Sequence, residues 1–516
     1  MIILFLSLIM NKLNTLLSES AEKFPHKIAL VIDEEHYTYQ ELNDLVHRLA
    51  SALSQQGVIQ GECVAFLLPN SLAMILCYYA CFSIGAIAVP INIQFNNEMI
   101  EYALKQSNPP VFITTSLFYK RLLNEKILEE IKQCYLISEA INYPGVKDFQ
   151  ELLSTTVSIT QPEIELDKPA LIYFTSGTTG LPKAVVHSHH GLCQGTKNQI
   201  AQIHINHDDN TLVMFPICYL IGLGSQILPF HDVGATVVLL SQFEPKEALA
   251  KLHSHQITKI YGFPKLYLEL INNAESMGVK VNTLNFCFSG GEAIAISLQE
   301  QFKSLFDIEI TEGCGMSELQ IYCMNPCYEK KKTGAIGFPI VNMEMQLIDE
   351  QGKVIATAHQ TGEIRVRGGS MCTGYWHDSS LTQKTIKKGW FHTGDLAYRD
   401  NEGCYWFVSR KADIIHRGEE LISPLTIENI FYQHHSVKEA AAIALPNPNK
   451  VNEDAIVVYL VLKDNKITPS ALMDFAGGLL PPSQHPQQII ILKQLPYGFT
   501  GKIDRRTLRS RTANDL

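Results

Sequence analysis

The chain has 516 residues, 46% of them hydrophobic and 18% charged, values that exclude a disordered or fibrous protein. It is too long for one hydrophobic core, so two or more domains are expected. Its 42 basic residues against 52 acidic ones leave a net charge of −10, which argues against sequence-independent nucleic-acid binding as the main role and requires any bound phosphate to be held locally, by loops and dipoles.

In chain order, the first nine residues are apolar but carry no basic flank and no small-residue cleavage site, and they are about half the length of a membrane span. Met10 opens a more ordinary start. No other run approaches a transmembrane length, so a cytoplasmic protein is expected. Thr38 and Glu41 are spaced as a capping box. Leu42, Val46, Leu49, Ala50 and Leu53 follow at helical spacing, and Gly57 ends the run. A buried strand is predicted at 64–68. Residues 72–84 are apolar nearly all round, as in a helix sandwiched in a core, and 86–90 reads as the next strand. Strand, helix and strand in that order predict a parallel sheet. Further strands are predicted at 170–174, 211–215, 235–240, 259–263, 283–288 and 307–311. After about 334 the texture changes: 343–349 and 363–367 alternate in hydropathy, which predicts a small antiparallel or barrel unit. From 410 onward come strands at 440–444, 455–462 and 488–492, a helix near 471–475, and a basic tail. The predicted domains are 10–409 and 410–516.

The twelve cysteines are scattered. Cys77, Cys81, Cys218 and Cys287 sit in apolar runs and read as small core hydrophobes in a reducing compartment. Cys323 and Cys327 lie four apart with no second pair at zinc spacing. The strongest chemical signal is Tyr173-Phe174-Thr175-Ser176-Gly177-Thr178-Thr179-Gly180-Leu181-Pro182-Lys183. Here an apolar strand enters a loop with two glycines, four hydroxyls and a lysine. Glycines let backbone N–H groups turn toward a polyanion, hydroxyls add rotatable donors, and Lys183 adds a point charge. Leu181-Pro182 intervene where a Walker A loop requires Gly-Lys-Ser/Thr, so this is a different phosphate loop. His187, His189 and His190 could suggest a metal site, although they follow the phosphate loop directly. There is no Gly-x-Ser-x-Gly elbow and no His-Glu-x-x-His, so nucleophilic-serine and zincin chemistry find no support.

Further motifs follow in order: Ser289-Gly290-Gly291-Glu292-Ala293, Gly313-Cys314-Gly315-Met316-Ser317-Glu318, Trp390-Phe391-His392-Thr393-Gly394-Asp395-Leu396, Arg410, Gly418 and Thr500-Gly501-Lys502. From about Thr38 to Lys502 the chain resembles the adenylate-forming superfamily: acyl- and aryl-CoA ligases, nonribosomal-peptide adenylation domains and firefly luciferase. The resemblance implies an α/β fold. A large N-terminal domain of two stacked α/β subdomains plus a small β-barrel would carry a smaller, mobile α+β lid. It also implies the following roles. Thr175 to Gly180 and Lys183 would hold the triphosphate, Thr175 also serving catalysis. Gly290, Gly291 and Glu292 would form the adenine edge, and Gly313 to Ser317 the nucleotide motif. Glu318 would supply a magnesium ligand, Asp395 and Arg410 would hold ribose, and Lys502 would bridge the attacking carboxylate and the nucleotide. Gly418 would enter the site for a second step, with a hinge at Ala412. The cofactors implied are ATP, Mg²⁺ and CoA, or the phosphopantetheine of a carrier protein.

The departures from the pattern are specific. Cys314 stands where an aromatic ring is common, Ser317 where threonine is usual, and Ala412 where the hinge is usually Asp or Lys. Ala184 and Ser409 replace glycines. The acid pocket is expected around Tyr219, Gly222, Leu223, Phe263 and Ser289. Residues 215–224 contain no acidic residue to meet an amino-acid ammonium, so a fatty or aromatic acid is expected. The expected activity is an AMP-forming acid–thiol ligase using CoA, with loading of a carrier protein as the alternative. A luciferase-like oxygenase or a catalytically lapsed binding protein remains open from another class.

Overall fold

Two mixed sheets form the body of the computed structural model, which describes residues 12–122, 126–137, 143–157, 162–175, 181–278, 281–327, 331–418, 420–447, 453–463, 467–498 and 502–515. Thr38 and Glu41 make the capping box that their spacing predicts. The Thr38 side chain accepts from the Glu41 N–H, and Glu41 Oε2 accepts from the Thr38 N–H at 2.8 Å. The helix they open, Tyr39–Gln55, buries Leu42, Val46, Leu49, Ala50 and Leu53. The helix Leu72–Ile84 buries every residue after its first. It lies in one core with Phe66 and Tyr173 from one sheet and Leu239 and Phe288 from the other, which is why it is apolar all round.

The eight-stranded sheet runs Gly374–Tyr375, Lys183–Ser188, Pro169–Thr175, Ile87–Pro90, Cys63–Leu67, Val111–Thr115, Gln133–Ile137 and Val146–Asp148. From Pro169–Thr175 onward its pairings are parallel. In the nine-stranded sheet the parallel strands are ordered Ile310–Met316, Phe286–Ser289, Lys259–Gly262, Asn210–Val213, Thr236–Leu239 and Ile28–Ile32. Burial on both faces explains their unbroken apolar runs. The strand expected at 307–311 begins later and runs on to Met316. Gly313, Cys314 and Gly315 stay extended because they pair antiparallel with the strand Gln320–Met324.

The unit read as antiparallel or barrel-like contains Met343–Ile348, Gly362–Gly368, Trp390–Arg399 and Ile386–Lys387 in an antiparallel path, with Tyr405–Arg410 added on Trp390–Arg399. The C-terminal unit is a three-stranded sheet of Val437–Pro446, Asp454–Leu462 and Gln488–Leu492, with the helices Pro424–Tyr432, Pro469–Gly477 and Arg505–Asp515. Arg505 ties the last helix to this sheet. Its guanidinium donates to both oxygens of Glu428 at 2.7 and 3.2 Å and to the Ala442 carbonyl at 3.1 Å. Among the described residues no helix is long and apolar enough to cross a membrane.

A buried ion pair supports the large sheet where its strands begin. Lys259 Nζ lies 3.0 Å from Asp209 Oδ1 and donates to Asn285 Oδ1 at 2.8 Å. Removing the cation strands a buried carboxylate, so Lys259→Met is expected to cost about 3–5 kcal/mol. The shift of the first urea transition checks this; a variant with the wild-type midpoint would contradict it.

Candidate active site

The C-terminal ends of the parallel strands converge on one crevice: Thr175 ends Pro169–Thr175, Ser289 ends Phe286–Ser289, and Gly313 to Met316 end their own strand. Open α/β sheets place ligands at such strand ends. Two cavities meet there. The smaller, about 450 Å³, is lined among others by Ser289, Gly313, Cys314, Gly315 and Asp395. The larger, about 1410 Å³, lies between the body and the C-terminal unit and is lined among others by Thr175, Lys183, Met316, Ser317, Glu318 and Lys502. Gly291, Glu292 and Arg410 belong to both walls.

Asp395 and Arg410 are register partners on adjacent strands. Arg410 Nε lies 2.8 Å from Asp395 Oδ1, yet that oxygen receives no aligned hydrogen bond. Burial raises the Asp395 pKa, against the pull of Arg410 and Lys502. The result is a buried carboxylate with lone pairs left for a ligand hydroxyl. Lys502 is half-buried on the wall of the crevice. Burial, then the Arg410 guanidinium, press its ammonium below the ordinary value, while Glu292 and Asp395 raise it. Gly291 makes room for it. At φ +85°, a Cβ there would sit 3.0 Å from Phe263 Cδ1 and 3.3 Å from Lys502 Cε, so only glycine suits the position. Glu292, expected at the adenine edge, instead accepts the Ile503 N–H on Oε1 at 2.9 Å. Gly290 donates its N–H to the Gly262 carbonyl at 3.3 Å.

On the other side of the crevice, Glu318 Oε1 accepts the Tyr375 hydroxyl at 2.9 Å. Lys183 begins its strand opposite Thr175, and its Nζ lies 5.9 Å from the Tyr375 ring centroid. The Ser317 carbonyl accepts from His187 Nε2 at 2.6 Å, and burial lowers that imidazole to about 4. His189 packs edge-on against Phe82. Among the described residues no three His, Cys, Asp or Glu side chains gather to hold a metal. A magnesium ion could still be held by Glu318 together with substrate phosphates and water, the sparse protein ligation this ion favours.

Other expected residues fall outside the described residues or off the walls of these two cavities. Ser176, Gly177, Thr178, Thr179, Gly180, Thr500 and Gly501 fall outside the described residues. The walls of the two cavities do not include Tyr219, Gly222, Leu223 or Phe263. Leu223 is fully buried in the main core, at the start of a π-helical turn, Leu223–Ile227. Tyr219 accepts from Asn92 Nδ2 at 3.0 Å, and the Phe263 ring packs 5.5 Å from that of Phe215. Gly418 lies at a hairpin tip, with nothing within 4 Å of a Cβ placed there. Ala412 is on the larger cavity's wall, and its carbonyl accepts from Arg509 Nη2 at 3.3 Å. Cys314 lines the smaller cavity, its thiol pushed up to about 12 by burial.

Sequence reasoning missed Tyr375 and Glu312. The only signals were an aromatic after Gly374 and an acid just before Gly313. Gln320 Oε1 is buried without a hydrogen bond, and a Cβ on Gly195 would come within 1.9 Å of it. Glu312 lines the smaller cavity, accepting the Gly334 N–H at 2.7 Å and Gln299 Nε2 at 3.0 Å.

Comparison with known proteins agrees with this geometry. The model of the AMP-binding enzyme family matches residues 17–376, and that of the AMP-binding enzyme C-terminal domain matches 426–502. The chain is 27% identical to a long-chain-fatty-acid–CoA ligase of Bacillus subtilis (strain 168), over 96% of this chain and 94% of that protein. It is also 27% identical to a feruloyl-CoA synthase of Amycolatopsis sp, over 95% and 97%. The crystal structure of an anthranilate CoA ligase in complex with anthranoyl-AMP has the same fold, with TM-score 0.91, 24% identity and 98% of each chain covered.

Burial pushes the Glu312 carboxyl up from 4.5 to about 7. Between those two values the folded protein holds a proton that the unfolded chain has lost. Stability therefore falls as pH rises through this window, by about 3 kcal/mol from this group alone. Glu312→Gln is expected to flatten the profile from pH 4.5 to 7 and to be more stable than wild type at pH 8. Melting temperatures across this range check it; parallel profiles would contradict it.

Proposed function

The chain belongs to the AMP-binding enzyme family, and from that premise we propose that it is an ATP-dependent acid–thiol ligase. It activates a carboxylic acid as acyl-AMP, releases pyrophosphate, and transfers the acyl group to the thiol of CoA. A carboxylate is a poor acyl donor because its leaving group would be oxide; joined to AMP, the same oxygen leaves readily. The observation that carries the reading is the placement of Lys502, contributed by the C-terminal unit, within the electrostatic reach of the ribose-type carboxylate Asp395 in one crevice.

In the proposed first step, adenosine enters the smaller cavity, where Gly291 and Gly313 to Gly315 provide walls without bulk. Asp395 accepts the ribose hydroxyls and Arg410 neutralises it. The triphosphate extends into the larger cavity toward Thr175 and Lys183, the loop at 176–180 contributing donors. The Lys502 ammonium lies between the acid's carboxylate and the α-phosphate and stabilises the charge that develops at phosphorus. Glu318, oriented by Tyr375, would hold Mg²⁺, which when bound offsets charge on the departing pyrophosphate. The thiol then needs the space that Lys502 fills. Residues 410–516 act as a lid on the 10–409 body, turning about Ala412 to withdraw Lys502 and bring in the Gly418 hairpin. The apolar segment around Tyr219, Gly222 and Phe263, with Ser289, takes the acid's tail, and Leu223 backs it from the core. Fatty or aromatic acids suit it, in keeping with the relatives' named substrates. The twelve cysteines are all free, consistent with work in the cytoplasm. Loading of a carrier-protein phosphopantetheine is the second reading, favoured only by the volume of the larger cavity, about 1410 Å³ between the body and the C-terminal unit.

Acid-dependent exchange of pyrophosphate into ATP, across aliphatic and aryl acids, tests the proposal, and thioester formation with free CoA separates the two acceptors. Lys502→Ala is expected to lower adenylate formation by at least about a hundredfold while sparing thioester formation from supplied acyl-AMP. Equal loss of both steps would overturn the role of the lysine; no exchange with any acid would overturn the function.

A further inference from the structure

Lys502 stands at the neck of a loop. Tyr497 and Ile503 bridge each other across that neck. The Gly498 N–H donates to the Lys502 carbonyl at 2.8 Å, and the Asp504 N–H to the Pro496 carbonyl at 2.8 Å. The two sides of the neck therefore move together, and each grips the large domain at a separate point. On one side the Ile503 N–H donates to Glu292. On the other, Lys265 Nζ lies 4.5 Å from the centroid of the Tyr497 ring. Lys265 is the second residue of the helix Pro264–Met277, directly after Phe263, whose ring closes on Gly291. The segment that shapes the slot for Lys502 thus also supplies the cation that meets Tyr497. The ring is itself held, packed against the second core of the C-terminal unit with Ile503.

We infer that Lys265 and Tyr497 are positioning residues for adenylate formation. Their cation–ring contact spans the domain junction and, with the Glu292–Ile503 hydrogen bond, sets the neck so that Lys502 enters the crevice. This rests on the two-step reading above. The contact exists only with the lysine inserted, so it shifts the lid equilibrium toward that state by its own interaction energy. It also gives the larger cavity a wall that opens when the lid turns. Neither side chain reaches the reacting atoms; both act through Lys502.

The test uses the full chain carrying Lys265→Ala, Lys265→Glu, Lys265→Arg, Tyr497→Leu or Tyr497→Phe, and measures kcat and KM for each half-reaction separately. Lys265 is exposed, so its variants fold. Lys265→Ala is expected to lower kcat for acid-dependent pyrophosphate release about twofold to fivefold, with KM for ATP and thioester formation from supplied acyl-AMP unchanged. Lys265→Glu, which adds a like charge to a wall already carrying Glu292 and Glu439, lowers it further. Lys265→Arg and Tyr497→Phe retain cation and ring and restore the wild-type rate; Tyr497→Leu does not. Hydrogen exchange over residues 496–504 reads the clamp without catalysis, and is expected to be faster in Lys265→Ala and Lys265→Glu. Equal loss in both half-reactions, or unchanged exchange in this segment, would overturn the inference. Faster exchange in the Lys265 variants, together with a wild-type chain that activates no acid, would overturn the ligase reading and leave the clamp standing.

Discussion

Everything in the crevice depends on burying charge in balance. Two cations, Lys502 and Arg410, and two anions, Asp395 and Glu292, face one another in the crevice: Asp395 is buried, Lys502 and Glu292 are half-buried, and the Arg410 side chain is 44% exposed. An isolated buried ion costs several kcal/mol after relaxation, so the buried Asp395 carboxylate depends on the two cations beside it. The lysine comes from the C-terminal unit, whereas Asp395, Arg410 and Glu292 belong to the body or its margin. Domain orientation and site electrostatics are therefore a single problem: when the lysine leaves, the remaining groups must find compensation in bound nucleotide or in water. That linkage ties the placement of the C-terminal unit to the charge held in the crevice.

The fold supplies the frame for this balance. Parallel strands with both faces buried deliver Thr175, Ser289 and Gly313 to one edge, where glycines keep the backbone close to the cavity. The hydrogen bond from Tyr375 to Glu318 joins a short edge strand of one sheet to the turn that follows a strand of the other. It fixes a carboxylate where the two halves of the body meet. Arg505, three residues after Lys502, anchors the lysine-bearing tail to Glu428, so the loop and the lid sheet move as one piece. The basic run that ends the chain is not a uniform solvated face: Arg505 is held by Glu428, and Arg509 by Asp413 beside Ala412.

Much of this was legible in the sequence because its causes are local. The capping box at Thr38, the all-round apolarity of Leu72–Ile84 and the ordered glycine-rich motifs each follow from residue type and spacing. What escaped depends on partners distant in sequence. Nothing around Glu312 signals that Gln299 and Gly334 will enclose it, and nothing at Tyr375 indicates a partner fifty-seven residues away. Glu292 carries a motif identity that suggests nucleotide, yet its carboxylate is taken by a backbone N–H from the far end of the chain. Leu223 reads as pocket lining by position, but the π-helical turn that starts there directs it into the core. Ala412 carries no side-chain signal, and it is Arg509 that reaches its carbonyl.

The most direct measurement is a crystal structure of the full chain with a non-hydrolysable acyl-sulfamoyl adenosine. The account predicts both ribose hydroxyls on Asp395, the base beside Cys314 and Gly315, and Lys502 Nζ within hydrogen-bond reach of the sulfamoyl group. An analogue bound away from Asp395, or a lysine loop left outside the crevice by every lid position observed, would contradict it.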